Sequence, residues 1–216
     1  MKSILPSIMN RPYRILCVCM GNVCRSPTAE AVLRRLIQQH QLQGKIEVDS
    51  AGTHGYRVGE SCDGRTQQRT RERGYDLSSM RARKIGWQDF DYFDLILAMD
   101  KGNLYNLRRI ATEEQQGRIH LLMEFARNFV EEEVPDPLVT LGENFDHMLA
   151  MIEDACAGVI EYGKAKLAGA EQQAGGPPAS GETLAEGRPG QARSVDGGER
   201  PLDRIAPAGR PADQRQ

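Results

Sequence analysis

The stretch from Tyr13 to Pro27, YRILCVCMGNVCRSP, constrains the fold more than any other part of the chain. Residues 13 to 18 form a short apolar run, long enough for a buried parallel strand and too short for a helix. Ser26 and Pro27 suit an N-cap and a first helical position. Behind them Ala29, Val32, Leu33, Leu36 and Ile37 recur at the spacing of one helical face. Strand, short loop and helix in that order open an α/β unit.

The rest of the chain repeats the alternation. Ile46 to Ser50 reads as a second strand that ends in Ala51-Gly52-Thr53, and a polar helix is expected over Gly64 to Arg73, stopped by Gly74. Phe93 to Met99 is the strongest strand candidate; Asp100 follows as the cap of a helix carrying Leu104, Leu107 and Ile110. Ile119 to Met123 gives a fourth strand, and Phe145, Met148, Leu149, Ile152, Cys156, Val159 and Ile160 mark a last amphipathic helix. The prediction is an α/β fold, a four-stranded, mostly parallel sheet flanked by helices.

Residues 1–12 read as an N-terminal extension and residues 13–168 as the folded domain. From Gly169 to Gln216 aromatics vanish, and Leu184, Val195, Leu202 and Ile205 are the only large aliphatics. Such a segment buries too little apolar surface to offset its ordering entropy, so a disordered tail is expected. A net charge of -2 gives no bulk attraction to nucleic acid or an anionic membrane, so neither is expected as a partner. Pro6 interrupts the short apolar patch near the N-terminus, which is too short and broken for a secretory signal core. A cytoplasmic protein is the expectation. Five cysteines, three of them within eight residues, point to reduced thiols rather than a secreted disulfide framework.

What the cysteine loop can do follows from its place. A strand that ends in a loop of inward backbone N–H groups, entering a helix N-terminus, holds a phosphate-sized anion. Met20, Gly21, Asn22, Val23 and Cys24 can supply those groups, with Gly21 and Asn22 tolerating the backbone angles of such a nest. Arg25 at the helix entrance can grip two oxygens in a fork. Cys19 then sits beneath the phosphorus, in surroundings that favour the thiolate, and Ser26 can donate its hydroxyl to that sulfur. The arrangement reads as covalent phosphoryl transfer. Only Cys19, of the five cysteines, has an arginine six positions on. Cys17, Cys156 and Cys62 read as core residues, Cys17 pointing away from the side of Cys19. His40, His54, His120 and His147 form no ligand spacing with the cysteines, so neither a metal nor another cofactor is expected.

Cys19 to Pro27 resembles the signature of the low-molecular-weight protein tyrosine phosphatases. Further matches are Asp49 to Thr53, Asp63 with Arg65, Ala82-Arg83, Phe93-Asp94 through Met99-Asp100, and Pro135-Asp136-Pro137. The resemblance covers roughly residues 13 to 163 and implies a flavodoxin-like winding with the phosphate loop after the first strand. It implies catalysis by Cys19, Arg25 and Asp136, with Asp136 protonating the leaving phenolate and then activating water against the phosphocysteine. It places Tyr56 on the wall of the substrate crevice, gives Cys24 either a reversible disulfide with Cys19 or a packing role, and requires no metal. The implied partner is a phosphotyrosine-bearing protein, a tyrosine kinase among the candidates.

Two positions depart from the family pattern. Leu138 and Val139 stand where a tyrosine pair often follows Asp-Pro, and Met80 stands where a histidine commonly helps to fix the loop asparagine. Three other readings remain. An arsenate reductase on the same fold needs a further cysteine pair, and no cysteine lies between Cys62 and Cys156. A protein-arginine phosphatase tends to carry threonine where Val23 stands. A non-catalytic phosphate-binding or redox module would need neither nucleophile nor acid.

Overall fold

Side chains alternate across the first strand, and that alternation lays out the two faces of the sheet. A computed structural model describes residues 11–138 and 144–174. In it β1 (Tyr13–Cys19) directs Ile15, Cys17 and Cys19 into one buried apolar cluster and Leu16 and Val18 into another. β2 (Ile46–Gly52), β3 (Leu95–Ala98) and β4 (Ile119–Leu121) run parallel to it in the order β2-β1-β3-β4. This is the four-stranded parallel sheet expected above, with a flavodoxin-like strand order.

Helices cover both faces because parallel strands, linked by crossovers, are apolar on both. On the face of Cys19 lie α1 (Arg25–Gln39) and α6 (Phe145–Ala174), which contribute Val32, Leu33, Met148, Ile152 and Cys156 to the cluster. The other face is closed by Phe90 of α3 (Trp87–Tyr92) and Leu107 of α4 (Lys101–Arg108). α2 (Gly64–Glu72) and the short α5 (Glu113–Gln116) complete the set among the described residues. None of these helices is long and apolar enough to cross a membrane.

Five expectations need correction. The first helix begins at Arg25, with Cys24 at its N-cap, so Ser26 and Pro27 lie inside the first turn. Cys17 is core, as expected, but faces the same side as Cys19, because residues two apart on a strand share a face. Ile110 falls beyond α4 and is 55% exposed. The fourth strand stops at Leu121, and Leu122 to Phe125 wind into a 3-10 turn instead. The last helix continues to Ala174, past the boundary drawn at residue 168, since a single glycine at 169 costs only about 1 kcal/mol in a helix. The remainder of the expected tail, 175–216, and residues 1–10 of the N-terminal extension lie outside the described residues.

Candidate active site

The C-terminal end of β1 sets the site, as the crevice rule for open α/β sheets requires. Cys19 is the last strand residue and is 3% exposed; the loop over residues 20–24 returns the chain to α1. Asn22 carries the strained part of that loop, with φ of 57°, in the left-handed region that asparagine tolerates better than most residues. Its backbone N–H donates to Cys19 Sγ over 3.3 Å, and the Ser26 hydroxyl donates to the same sulfur over 3.1 Å. Starting the helix at Arg25 therefore frees Ser26 from capping and turns its hydroxyl to the sulfur.

Asn22 is itself held from three sides. Its Oδ1 accepts from the backbone N–H of Arg83 at 2.8 Å, while Nδ2 donates to Ser26 Oγ at 3.0 Å and to Ser50 Oγ at 2.9 Å. Met80, where the family pattern has a histidine, takes no part in these bonds; its side chain packs with Ala31, Cys62 and Leu77. Gly52 admits the loop: a Cβ there would lie 2.8 Å from the Met20 carbonyl oxygen and 3.2 Å from the Asn22 nitrogen. Thr53 and His54 continue the attachment, their N–H groups donating to the carbonyls of Cys19 and Met20.

Arg25 is 3% exposed, and its guanidinium reaches two carboxylates. Nη1 donates to Asp100 Oδ2 at 2.7 Å and to the Val134 carbonyl at 3.1 Å, and Nη2 donates to Asp136 Oδ2 at 2.9 Å. Burial by itself lowers the affinity of this group for its proton. Cys19, Asp136 and Asp100 offset that burial and hold the guanidinium above its ordinary value. Asp100 also accepts from the Asn103 N–H and so caps α4 as expected.

Asp136 sits on the stiff Pro135–Pro137 segment, its other oxygen accepting from the Leu138 N–H at 3.0 Å. The chain just before that segment is tied to the turn between β3 and α4. The Val134 N–H donates to the Met99 carbonyl at 2.8 Å, and Glu133 accepts from the Lys101 N–H at 2.6 Å. The structure thus brings Cys19, Arg25 and Asp136 together, at the end of β1, the start of α1 and the Pro135–Pro137 segment.

The other expected residues fall around it. Met20 is 44% exposed at the rim, whereas Val23 is buried. Tyr56 is 61% exposed and stands over the loop, where a Cβ on Gly21 would come 3.2 Å from its hydroxyl. Cys24 is buried with its sulfur 4.0 Å from that of Met148, and burial pushes its thiol far up. Val139 lies outside the described residues. Sequence reasoning missed Asp100, Ser50, Gly52 and Arg83 as site residues. Only the positions of the Asp49–Thr53, Ala82-Arg83 and Met99-Asp100 matches hinted at them. Among the described residues no group of three or more His, Cys, Asp or Glu side chains is placed to hold a metal ion. A groove of about 870 Å³ runs between α1 and the outer edge of β2 and includes none of residues 19–26.

Residues 14–172 match the family model described as low molecular weight phosphotyrosine protein phosphatase. The chain belongs to this family. It is 39% identical over 142 residues to the low molecular weight protein-tyrosine-phosphatase YfkJ of Bacillus subtilis, covering 66% of this chain and 90% of that protein. Among solved structures, a protein tyrosine phosphatase from Entamoeba histolytica with Hepes in its active site matches with a TM-score of 0.68. Identity there is 38%, and the match covers 71% of this chain and 98% of the other. A Drosophila arginine phosphatase matches with a TM-score of 0.64 and 34% identity, over 68% of this chain and 96% of its own. As a low molecular weight phosphatase the chain is an enzyme that acts on phosphoproteins.

Proposed function

We propose that this phosphatase hydrolyses phosphotyrosine through a phosphocysteine formed on Cys19. The observation that carries this reading is the pairing around one sulfur: two donors, Ser26 and the Asn22 N–H, aim at Cys19 Sγ, while Arg25 behind it grips Asp136. In the first step the Cys19 thiolate attacks phosphorus in line with the departing tyrosine oxygen. Charge on the three equatorial oxygens is met by the loop N–H groups and by Arg25. The S–P bond forms as the P–O bond breaks, and Asp136 gives its proton to the phenolate. In the second step Asp136 takes a proton from water, which displaces the sulfur and restores the thiolate.

Arg25 links binding to acid release. A phosphate that enters the fork competes with Asp136 for Nη2, so substrate binding loosens the carboxyl group from its ion pair and frees it to face the leaving oxygen. The exposed ring of Tyr56 and the apolar Val23 favour an aryl ester. The partner is a phosphotyrosine protein, a tyrosine kinase among the candidates. The free thiols of all five cysteines fit a reducing cytoplasm.

The test is hydrolysis of p-nitrophenyl phosphate by the reduced protein with chelator present, beside Cys19→Ser. Turnover that persists in chelator and vanishes in the variant is the expected result; residual turnover in Cys19→Ser overturns it. Likeness to an arginine phosphatase gives the second reading its footing. Peptides bearing phosphotyrosine and phosphoarginine, compared by kcat/KM, decide between them, and the aryl ester is expected to lead.

A further inference from the structure

Behind the phosphate loop, on the side of α1 away from the crevice, a buried carboxylate stands at the end of the Asn22 network. Glu30 is 4% exposed, and its Oε2 accepts from the Ser50 hydroxyl at 2.6 Å. Its Oε1 pairs with Arg34 Nη2 at 2.6 Å, one turn along α1, and that arginine is largely exposed. A polar cavity of about 180 Å³ adjoins the pair, lined by Asn22, Asp49, Ser79, Met80 and Arg81 as well. The reaction proposed above does not use Glu30, yet burying a carboxylate is costly.

The hydrogen-bond directions say what the carboxylate does. A backbone N–H can only donate, so the bond from Arg83 fixes Oδ1 of Asn22 as the acceptor and leaves Nδ2 as a donor to both Ser50 and Ser26. Ser50 Oγ must then accept from Asn22, and its single proton needs an acceptor of its own. Ionised Glu30 supplies one. Without it the Ser50 proton has no partner, and the Asn22–Ser50 bond weakens. Asn22 needs that bond, because its backbone is held at a left-handed φ with its N–H on Cys19 Sγ.

From this geometry we infer that Glu30 is a positioning residue: through Ser50 it holds Asn22 so that the Asn22 N–H and the Ser26 hydroxyl both stay on the Cys19 sulfur. The inference rests on the reading of Cys19 as the nucleophilic thiolate. Arg34 keeps the carboxylate oriented, one oxygen for the guanidinium and the other for Ser50. The remaining charged or titratable groups toward Glu30 are Asp49 on β2, Arg81 across the cavity, and the Cys62 and Cys17 thiols. Arg83, paired with Asp49 at 2.8 Å, takes up much of that second negative charge. Burial raises the Glu30 carboxyl above its ordinary value against the opposing pull of Ser50 and Arg34, so the carboxylate is kept at a cost in stability.

The decisive variant is Glu30→Gln. Arg34 claims the amide oxygen, which turns the amide N–H₂ toward Ser50 and leaves the Ser50 proton without an acceptor. Alkylation of Cys19 by iodoacetamide at mildly acidic pH measures the thiolate directly, whether or not the protein turns over any substrate. The rate is expected to fall roughly five- to tenfold, the scale of one charge-assisted hydrogen bond weakened at the sulfur. The thermal midpoint is expected to stay level or rise. Ser50→Ala should slow alkylation to the same degree, and the double variant no further than either alone. Additive losses, or an alkylation profile like the wild type in both variants, overturn the relay. Should Glu30→Gln fail to fold, the exposed Arg34→Ala tests the same link: alkylation roughly two- to threefold slower is expected, and an unchanged rate refutes it. Turnover lost in the wild type with normal Cys19 alkylation would count against the phosphatase reading alone.

Discussion

Gly52 is the residue whose replacement most cleanly tests how the phosphate loop is held. It ends β2 in register with Cys19, and its backbone conformation is open to any residue, so only space excludes a side chain. In Gly52→Ala the new methyl would stand 2.8 Å from the Met20 carbonyl oxygen and 3.1 Å from the Gly21 carbonyl carbon. Both are backbone atoms, and neither can swing aside. Restoring an ordinary contact of 3.4 Å requires the loop or the strand end to give by about 0.6 Å. β2 is anchored there, since the Gly52 N–H donates to the Arg83 carbonyl and the Ile85 N–H to the Gly52 carbonyl. The loop therefore moves. A shift of that size in a group that must lie in line with phosphorus costs on the order of 10- to 100-fold in kcat, and the overpacking costs roughly 1–3 kcal/mol of stability. The assay is kcat and KM on p-nitrophenyl phosphate, the inhibition constant of inorganic phosphate, and the thermal midpoint. Gly64→Ala is the control: a Cβ there meets nothing within 4 Å, and both activity and stability should hold or improve slightly. A Gly52→Ala enzyme within about twofold of the wild type in kcat and in phosphate affinity would refute the claim that this glycine makes room for the loop.

Asp136→Asn should slow aryl phosphates with poor leaving groups far more than activated ones, since only the former need its proton; equal slowing along a leaving-group series removes Asp136 from the acid role. Gly158→Ala sets two effects against each other. Alanine gains about 1 kcal/mol of helix propensity, but its methyl would collide with the Phe125 carbonyl oxygen, so a net loss of about 2 kcal/mol or more is expected in denaturant melts. For Asp154, partial burial raises the carboxyl, but the N–H groups of Asn128 and Arg127 and the Asn128 side chain outweigh it and hold the group below its ordinary range. Its contribution is full above the ordinary aspartate range and is lost as pH falls through the lowered folded value. Acid unfolding curves of Asp154→Asn should accordingly converge on the wild type at low pH and lie below it near neutrality; a constant gap at all pH values contradicts the assignment.

What could be read from the sequence was local. The alternation of apolar runs with helical periodicity is set by the two repeat lengths of the backbone, and four parallel strands and the last helix follow from it. Within the loop, Cys19, Asn22 and Arg25 are bound by covalent spacing, so their common place at one strand end is legible from that spacing alone. The errors were local too. Ser26 looks like a cap because serine usually is one, but the phosphate loop starts the helix at Arg25 and gives the hydroxyl to Cys19. Cys17 and Cys19 share a face by the plain period of a strand.

Partners far apart in the chain were decided by the tertiary structure alone. Asp100 and Asp136 reach Arg25 across 75 and 111 residues, and Ser50 and Arg83 reach Asn22 across 28 and 61. Nothing in composition or periodicity ranks one aspartate above another for such a contact. Glu30 reads as one more polar position on an amphipathic helix until the packing of α1 against β2 buries it beside Ser50. The sequence by itself determined which loop groups could do the chemistry, because a nucleophile and an arginine fork at one strand end are matters of residue type and short spacing, whereas the acid role of Asp136 was implied only by the family resemblance. Only the closed fold determined which groups hold them in place, because a hydrogen bond within about 3 Å depends on how whole elements pack, and no local pattern encodes that distance.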